Sequence, residues 1–344
     1  MSPTMYSLLI SSISAGTILT MASHHWLLAW LGLELNTIAM LPILAMPHHP
    51  RATEAATKYF LIQAATAATI LFAATLNAWQ TGHWTITQPT SPTTMMMLTI
   101  AVSMKLGMAP THLWYPEVIQ GSTITTALII STWQKLAPLA LLLMTLHCIP
   151  TNTLLTLGLI SALVGGWLGL NQTQTRKIMA SSSIAHMGWL AVALTMNHSL
   201  ATLTIMVYII MTTTMFMVIT LTTTKTLMDF NATWLHSPTT VAMTVMTLMS
   251  LGGLPPLTGF MPKLLIIKNL THLQLTPLAT ALALASLPSL FFYTRMAYLA
   301  LLTTPPSTTA TKHKWRFKIN TPPILPALMI TTTMVLPIMT LINC

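Results

Sequence analysis

The sequence predicts an all-α polytopic membrane protein of about eleven transmembrane helices, with two inverted five-helix repeats and discontinuous helices 4 and 9. Three observations predict it. The 344 residues are 53% hydrophobic and only 5% charged, with a mean hydropathy of +0.71, where a soluble domain would carry about 25% charged residues. Apolar runs of the ~20 residues needed to cross a ~30 Å hydrocarbon core recur along the whole chain between short polar loops. A Leu-Gly-x-x-Pro motif occurs twice, as Leu106-Gly107-Met108-Ala109-Pro110 and Leu251-Gly252-Gly253-Leu254-Pro255, each followed by a further proline, Pro116 and Pro262. Gly/Pro-interrupted spans in corresponding positions mark a transporter built from two repeats; because five is odd, the second copy must be inverted.

The spans fall at about 3–22, 26–46, 54–80, 92–121, 123–147, 150–171, 176–196, 199–224, 238–272, 276–302 and 322–342. The fourth and ninth are too long for the hydrocarbon core unless tilted or broken, and both contain the prolines that would break them. The chain reads as one transmembrane domain, 1–344, with repeat halves at about 1–147 and 150–302 and an extra C-terminal helix at about 322–342.

Orientation follows from the basic residues. Loops after spans two, six, eight and ten hold Arg51, Arg176, Lys177, Lys225, Lys312, Lys314, Arg316 and Lys318, with Lys58 just inside span three, whereas the opposite loops hold only Lys268. That asymmetry puts the N-terminus and the basic loops on the side where the chain is made. Trp26, Trp79, Trp84, Trp234 and Trp315 fall near predicted span ends, as interfacial aromatics do. The net charge of +10 is dispersed over loops and spans rather than gathered on an aromatic-rich face, so nucleic acid is not an expected partner. Cys148 and Cys344 lie far apart without metal-ligand spacing, which argues against a disulfide framework or a metal cluster. The first apolar run begins at once, with neither a basic n-region nor an Arg-rich presequence, so no cleaved import signal is expected.

Glu34, Lys105, Lys135, Lys263 and Arg295 remain inside spans. A cation at the bilayer centre costs roughly 2.5–3.5 kcal/mol on insertion scales, so a chain keeps one only where it lines a hydrated interior path. Lys105 and Lys135 stand a dozen or so residues from either span end, beyond the reach of a snorkelling stem at ~1.5 Å per residue. Lys263, just after the second break, and Arg295, seven residues from a basic span end, have that bland reading open to them, and for Arg295 it is preferred. A carboxylate favours a lysine's ammonium form while desolvation favours the neutral amine, so small movements can change how firmly the proton is held. Moving a proton against ~100 mV costs about 2.3 kcal/mol, within the range such shifts supply. Glu34 with Lys105, Lys135 and Lys263 therefore reads as a proton relay, and no nucleophile is needed.

The paired histidines His24-His25 and His48-His49 flank span two and fit interfacial positions better than a metal site. His112, in the broken segment, and His186, in Ser181-Ser182-Ser183-Ile184-Ala185-His186, are mid-span; proton carriage and hydrogen-bonded packing are both open for them. The 27 methionines are scattered over all helical faces, as lipid-facing and core filler, rather than grouped for copper.

The motifs Trp30-Leu31-Gly32-Leu33-Glu34-Leu35-Asn36, Met104-Lys105-Leu106-Gly107-Met108-Ala109-Pro110, Ser182-Ser183-Ile184-Ala185-His186-Met187-Gly188 and Leu254-Pro255-Pro256-Leu257-Thr258-Gly259-Phe260-Met261-Pro262-Lys263 give the chain a resemblance, over its whole length, to the antiporter-like subunits of proton-pumping respiratory complex I. The resemblance implies an eleven-helix membrane-arm subunit, shorter by three N-terminal helices than its longer bacterial relatives. It implies that Glu34 and Lys105 form the Glu/Lys switch pair, that Lys135 is the central relay lysine and Lys263 that of the second half, with weaker support for Glu54, Glu117, His112 and His186 as channel residues. It implies a multi-pass protein of the mitochondrial inner membrane with N-terminus and basic loops in the matrix. It further implies no cofactor on this chain, with NADH, FMN, iron-sulfur clusters and ubiquinone in other subunits. Expected partners are the other membrane-arm and accessory subunits of complex I, together with lipids such as cardiolipin. Two function classes stay open: a proton-translocating subunit that depends on a redox arm, and a free-standing cation/proton antiporter, which the same fold would serve. A mere scaffold is disfavoured by the central charges.

Overall fold

The computed structural model describes residues 2–86, 91–230, 233, 238–302 and 322–334. Those residues are helical almost throughout and include eight helical segments long and apolar enough to cross a membrane, one of them the composite segment Ile124–Thr145. The chain divides into two compact units, residues 1–161 and 162–344.

The first unit holds α1 (Pro3–Ala22), α2 (Trp26–Ala45), α3 (Pro50–Thr81), α4 (Pro92–Leu106), α5 (Trp114–Gly121), α6 (Ile124–Ser131), a single 3-10 turn at Trp133–Lys135, α7 (Leu136–Thr145) and the start of α8 (Thr151–Leu170). Helix starts follow local chemistry. Pro3, Pro50 and Pro92 occupy first turns, where the missing N–H costs nothing, and Ser2, Ser91 and Thr123 accept a backbone N–H as N-caps. His25 and His49 do the same through Nδ1, accepting from Leu27 N at 3.2 Å and Arg51 N at 3.3 Å, which accounts for one member of each histidine pair. Threonine and serine hydroxyls inside spans donate back to carbonyls one turn earlier, as Thr20 does to Thr17 O at 2.7 Å, so these hydroxyls are satisfied within their own helix. Helix α3 packs on α2, α4 and α5, and α7 on α1, α2 and α4; α1 is only 22% buried and lies outermost.

The second unit contains the end of α8 and α9 (Thr175–Met196), α10 (His198–Thr222), α11 (Pro238–Gly252), α12 (Phe260–His272), α13 (Thr276–Leu302) and α14 (Ile324–Met334). Its centre is α9, 89% buried and packed on α10, α12 and α13. Small residues permit this: on α8, a Cβ at Gly165 would meet the α9 backbone at Ala185 N at 2.5 Å.

Two expectations need correction. The fifth span, read as continuous over 123–147, is interrupted at Thr132–Lys135, where Thr132 takes φ −113° and ψ −70°. Pro138 has no N–H for the Gln134 carbonyl and crowds it, so the turn before Pro138 tightens to 3-10. The third span starts at Pro50 rather than 54 because proline is accepted in a first turn. Trp234, Trp315, Cys344, the basic residues 312–318 and the end of the last span lie outside the described residues.

Candidate functional site: two broken helices with buried lysines

Both predicted breaks are present, between α4 and α5 and between α11 and α12, and both open with the same device. Gly107 has φ +72° and its N–H reaches Met104 O and Ser103 O, while Met108 N–H reaches Ser103 O at 3.0 Å. Gly253 has φ +83° and its N–H reaches Met249 O and Ser250 O, while Leu254 N–H reaches Met249 O at 3.3 Å. This is the left-handed glycine closure that ends helices without orphaned carbonyls. Carbonyls at the severed ends also find side chains: Trp114 Nε1 donates to Met104 O at 3.2 Å, and Lys263 Nζ to Gly252 O at 3.0 Å.

In the first unit, Lys105, in the last turn of α4, and Lys135, in the 3-10 turn, line one buried cavity of about 20 Å³ together with Asn36, Gln63, Tyr115 and Gln134. That is room for about one water. Lys105 is 6% and Lys135 3% exposed, so neither snorkels. Lys135 Nζ stands 4.9 Å from the Tyr115 ring centroid, a cation–π distance, and Gln134 Nε2 donates to Asn36 Oδ1 at 3.3 Å. Lys105 Nζ has no hydrogen-bond partner. Glu34 is half-buried on α2; it does not line the cavity, but its charge reaches Lys105, and its Oε2 is buried without a hydrogen bond. His112 lies within the break, its Nδ1 3.2 Å from Pro110 O and its Nε2 buried without a partner.

In the second unit, Lys263, in the first turn of α12, and His186, on α9, line another cavity of about 20 Å³ with Trp189, Thr204 and Tyr208. Lys263 Nζ lies 5.9 Å from the Trp189 ring centroid, and the His186 and Tyr208 rings are 5.7 Å apart. Lys263 is 9% exposed, which rules out snorkelling for it as well.

Arg295 is structural: its Nη1 donates to Leu170 O at 3.0 Å, closing the C-terminus of α8. Glu54 and Glu117 sit apart from the cavity, both bonded to Lys58 Nζ, at 2.5 Å and 2.6 Å, on an exposed face where α3 meets α5. Sequence reasoning did not single out Asn36, Gln63, Gln134 and Tyr115 as site residues. Gln63 carried a usable signal, an amide side chain in mid-span among apolar neighbours.

The sequence family of NADH:quinone oxidoreductase and Mrp antiporter transmembrane proteins matches residues 23–288, and that of the NADH dehydrogenase subunit 2 C-terminus matches residues 290–343. NADH-ubiquinone oxidoreductase chain 2 of Varanus melinus is 51% identical over 320 residues, 93% of each chain. That of Carassius auratus is 52% identical over 316 residues, 92% of this chain and 91% of its own. A chain of respiratory complex I from Thermus thermophilus superposes with a TM-score of 0.83 at 26% identity, covering 98% of this chain and 80% of that one. The chain is thus a multi-pass membrane protein that belongs to the NADH-ubiquinone oxidoreductase chain 2 family, within the antiporter-like proteins.

Proposed function

We propose that the chain is the proton-translocating membrane-arm subunit its relatives' name implies, moving protons through Lys105 and Lys135 in the first unit and His186 and Lys263 in the second. One observation carries the reading: two lysines more than nine-tenths buried share a single small polar cavity, one of them with its ammonium nitrogen unbonded. A structural cation would be saturated with acceptors. An unsaturated one beside space for about one water can hand its proton on. Glu34 biases the Lys105 ammonium through space, so a change in their separation would change how firmly the proton is held.

In this proposal the halves at about 1–147 and 150–302 are inverted repeats, the protein sits in the mitochondrial inner membrane, and its N-terminus and basic loops face the matrix. Electron transfer from NADH through FMN and iron-sulfur clusters to ubiquinone takes place on other subunits, which are its partners along with lipid such as cardiolipin. A free-standing antiporter is the competing reading, since the matching family also includes Mrp antiporters. Migration alone in native electrophoresis, rather than in a very large assembly, would favour it.

The relay is tested in vesicles reconstituted with the assembled complex. Lys105→Met keeps most of the volume and removes the titrating amine, so redox-driven proton uptake should fall sharply. Lys105→Arg keeps the charge but should also fail, because a guanidinium holds its proton to above pH ~12. Parental pumping by Lys105→Arg would make Lys105 a fixed charge and refute the proton-carrying role.

A further inference from the structure

The polar interior of residues 162–344 continues beyond Lys263 and His186. Tyr293, on α13, is 1% exposed, and its hydroxyl faces His186 Nε2 at 3.5 Å, one helical turn along α9 from Ser182. Ser182 is itself fully buried, and its Oγ donates to Met179 O at 2.7 Å. His186 in turn lines the cavity that holds Lys263. At ~1.5 Å per residue, Ser182 lies about 10 Å and His186 about 16 Å from the end of α9 that carries Arg176 and Lys177. The series Ser182, Tyr293, His186, Lys263 therefore descends from the basic-loop side toward mid-span.

We propose that Tyr293 is a proton-relay residue, linking Ser182 to His186 and through it to Lys263. The proposal rests on the proton-translocation reading above and adds to it the route by which the second lysine is supplied. A phenol suits the link because one oxygen both donates and accepts. In the loaded polarity Ser182 donates to Tyr293 and Tyr293 donates to Nε2 of a His186 protonated at Nδ1. A proton arriving at Ser182 Oγ lets the serine proton pass to the Tyr293 oxygen, the phenolic proton pass to Nε2, and the Nδ1 proton leave toward the cavity. One proton enters and one leaves, and no group keeps a charge.

The series is then polarised the other way, with the Ser182 hydroxyl free to donate to Met179 O, the orientation observed. Rotation of the two hydroxyls and exchange of the imidazole tautomer must restore it before the next proton. The 3.5 Å separation is long for a hydroxyl-to-imidazole bond. It has to close for transfer, which makes the phenol a natural point of control.

The competing account is that the phenol is buried beside His186 for packing alone. Tyr293→Phe separates the two, because it keeps the ring and removes only the hydroxyl. Protons translocated per NADH oxidised are measured in vesicles reconstituted with the whole complex, for the parent, Tyr293→Phe, Lys263→Met and the double variant. The expected result is that Tyr293→Phe lowers the ratio to the level of Lys263→Met and that the double variant is no lower. A packing defect would lower the amount of assembled complex and leave the ratio per NADH unchanged. Should Tyr293→Phe not assemble, Ser182→Ala, which deletes the preceding oxygen, must lower the ratio in the same way. A parental ratio in Tyr293→Phe beside a lowered one in Lys263→Met overturns the role of Tyr293 alone; parental ratios in both overturn the relay reading itself.

Discussion

Replacing Gly253 by alanine should disable the second lysine without touching it. Residue 253 has φ +83°, and a Cβ there would lie 3.0 Å from Lys263 Nζ, 3.1 Å from Cδ and 3.3 Å from Cε. Two costs follow. A non-glycine residue in the left-handed region costs about 1–2 kcal/mol. The lysine head must also shift, which loosens its 3.0 Å bond to Gly252 O, a charge-assisted contact worth about 1.5–3 kcal/mol. At about 1.36 kcal/mol per decade, complete loss of that bond would depopulate the bonded arrangement roughly 10- to 150-fold, which bounds the effect from above. The assay is redox-driven proton uptake by vesicles bearing the assembled complex, for the parent, Gly253→Ala, Lys263→Ala and the double variant. Gly253→Ala should lower uptake per assembled complex by up to about tenfold, and adding it to Lys263→Ala should lower that ratio no further, because the side-chain atoms it displaces are gone and the left-handed strain that remains falls on the amount of assembled protein. Parental uptake by Gly253→Ala, or a double variant well below Lys263→Ala, would refute the coupling. Gly107→Ala is the control: the atoms nearest its Cβ would be those of Tyr115, at 3.3–3.4 Å, rather than those of a lysine, so its effect should not depend on Lys105 in the same way.

Further outcomes follow from groups outside the cavities. Lys58→Gln removes the cation shared by Glu54 and Glu117, but these side chains are 40–60% exposed and screened by solvent, so the amount of assembled protein should stay at the parental level; a clear fall would show that the cluster clamps α5 to α3. Asp229, in the loop after α10, accepts backbone N–H groups from Thr226 at 2.7 Å and Lys225 at 2.9 Å, which holds its carboxyl below the usual range. Its contribution to loop order is present above the ordinary carboxyl range and lost as pH falls through the lowered value. Amide exchange at 225 and 226 should therefore gain protection less steeply with rising pH in Asp229→Asn than in the parent.

The breaks were legible because glycine and proline act through local backbone chemistry: the motif of Leu106 to Pro110 and that of Leu251 to Pro255 each specify a left-handed stop wherever they occur. The burial of Lys105 and Lys135 was legible too, since residue counting puts each too far from a span end for its own stem to reach. What counting could not give was lateral arrangement. Glu34 lies mid-helix yet stands off the cavity, because its position on α2 gives Leu33 and Asn36 the inward face. The interruption at Trp133 was missed although Pro138 announces it, since a proline in a first turn and one that breaks a helix look alike until the preceding turn is placed. Tyr293 carried no signal at all, as an aromatic in an apolar span is ordinarily core; only its apposition to Ser182 and His186 sets it apart.

The two breaks treat their lysines differently, and the difference bears on how each could work. The C-terminus of a half-helix carries about half a negative charge and stabilises a nearby cation by 0.3–1 kcal/mol, up to ~2 when partly buried. Against an insertion cost of roughly 2.5–3.5 kcal/mol this offsets part of the penalty and leaves the rest. Lys263 reaches across its break from α12 and bonds directly to Gly252 O at the end of α11, so it is held in place and its proton has a fixed acceptor. Lys105 belongs to the severed helix itself, in the last turn of α4, where Met104 O is already taken by Gly107 N and Trp114 Nε1 and its own Nζ has no acceptor. Glu34 acts on it through space, without a hydrogen bond. A lysine stabilised by a distant carboxylate responds to any movement of that carboxylate, whereas one bonded to its own break responds to the break. Lys105 is therefore the group suited to sense a change propagated through α2, and Lys263 the group suited to sense a change in the backbone turn at Gly253.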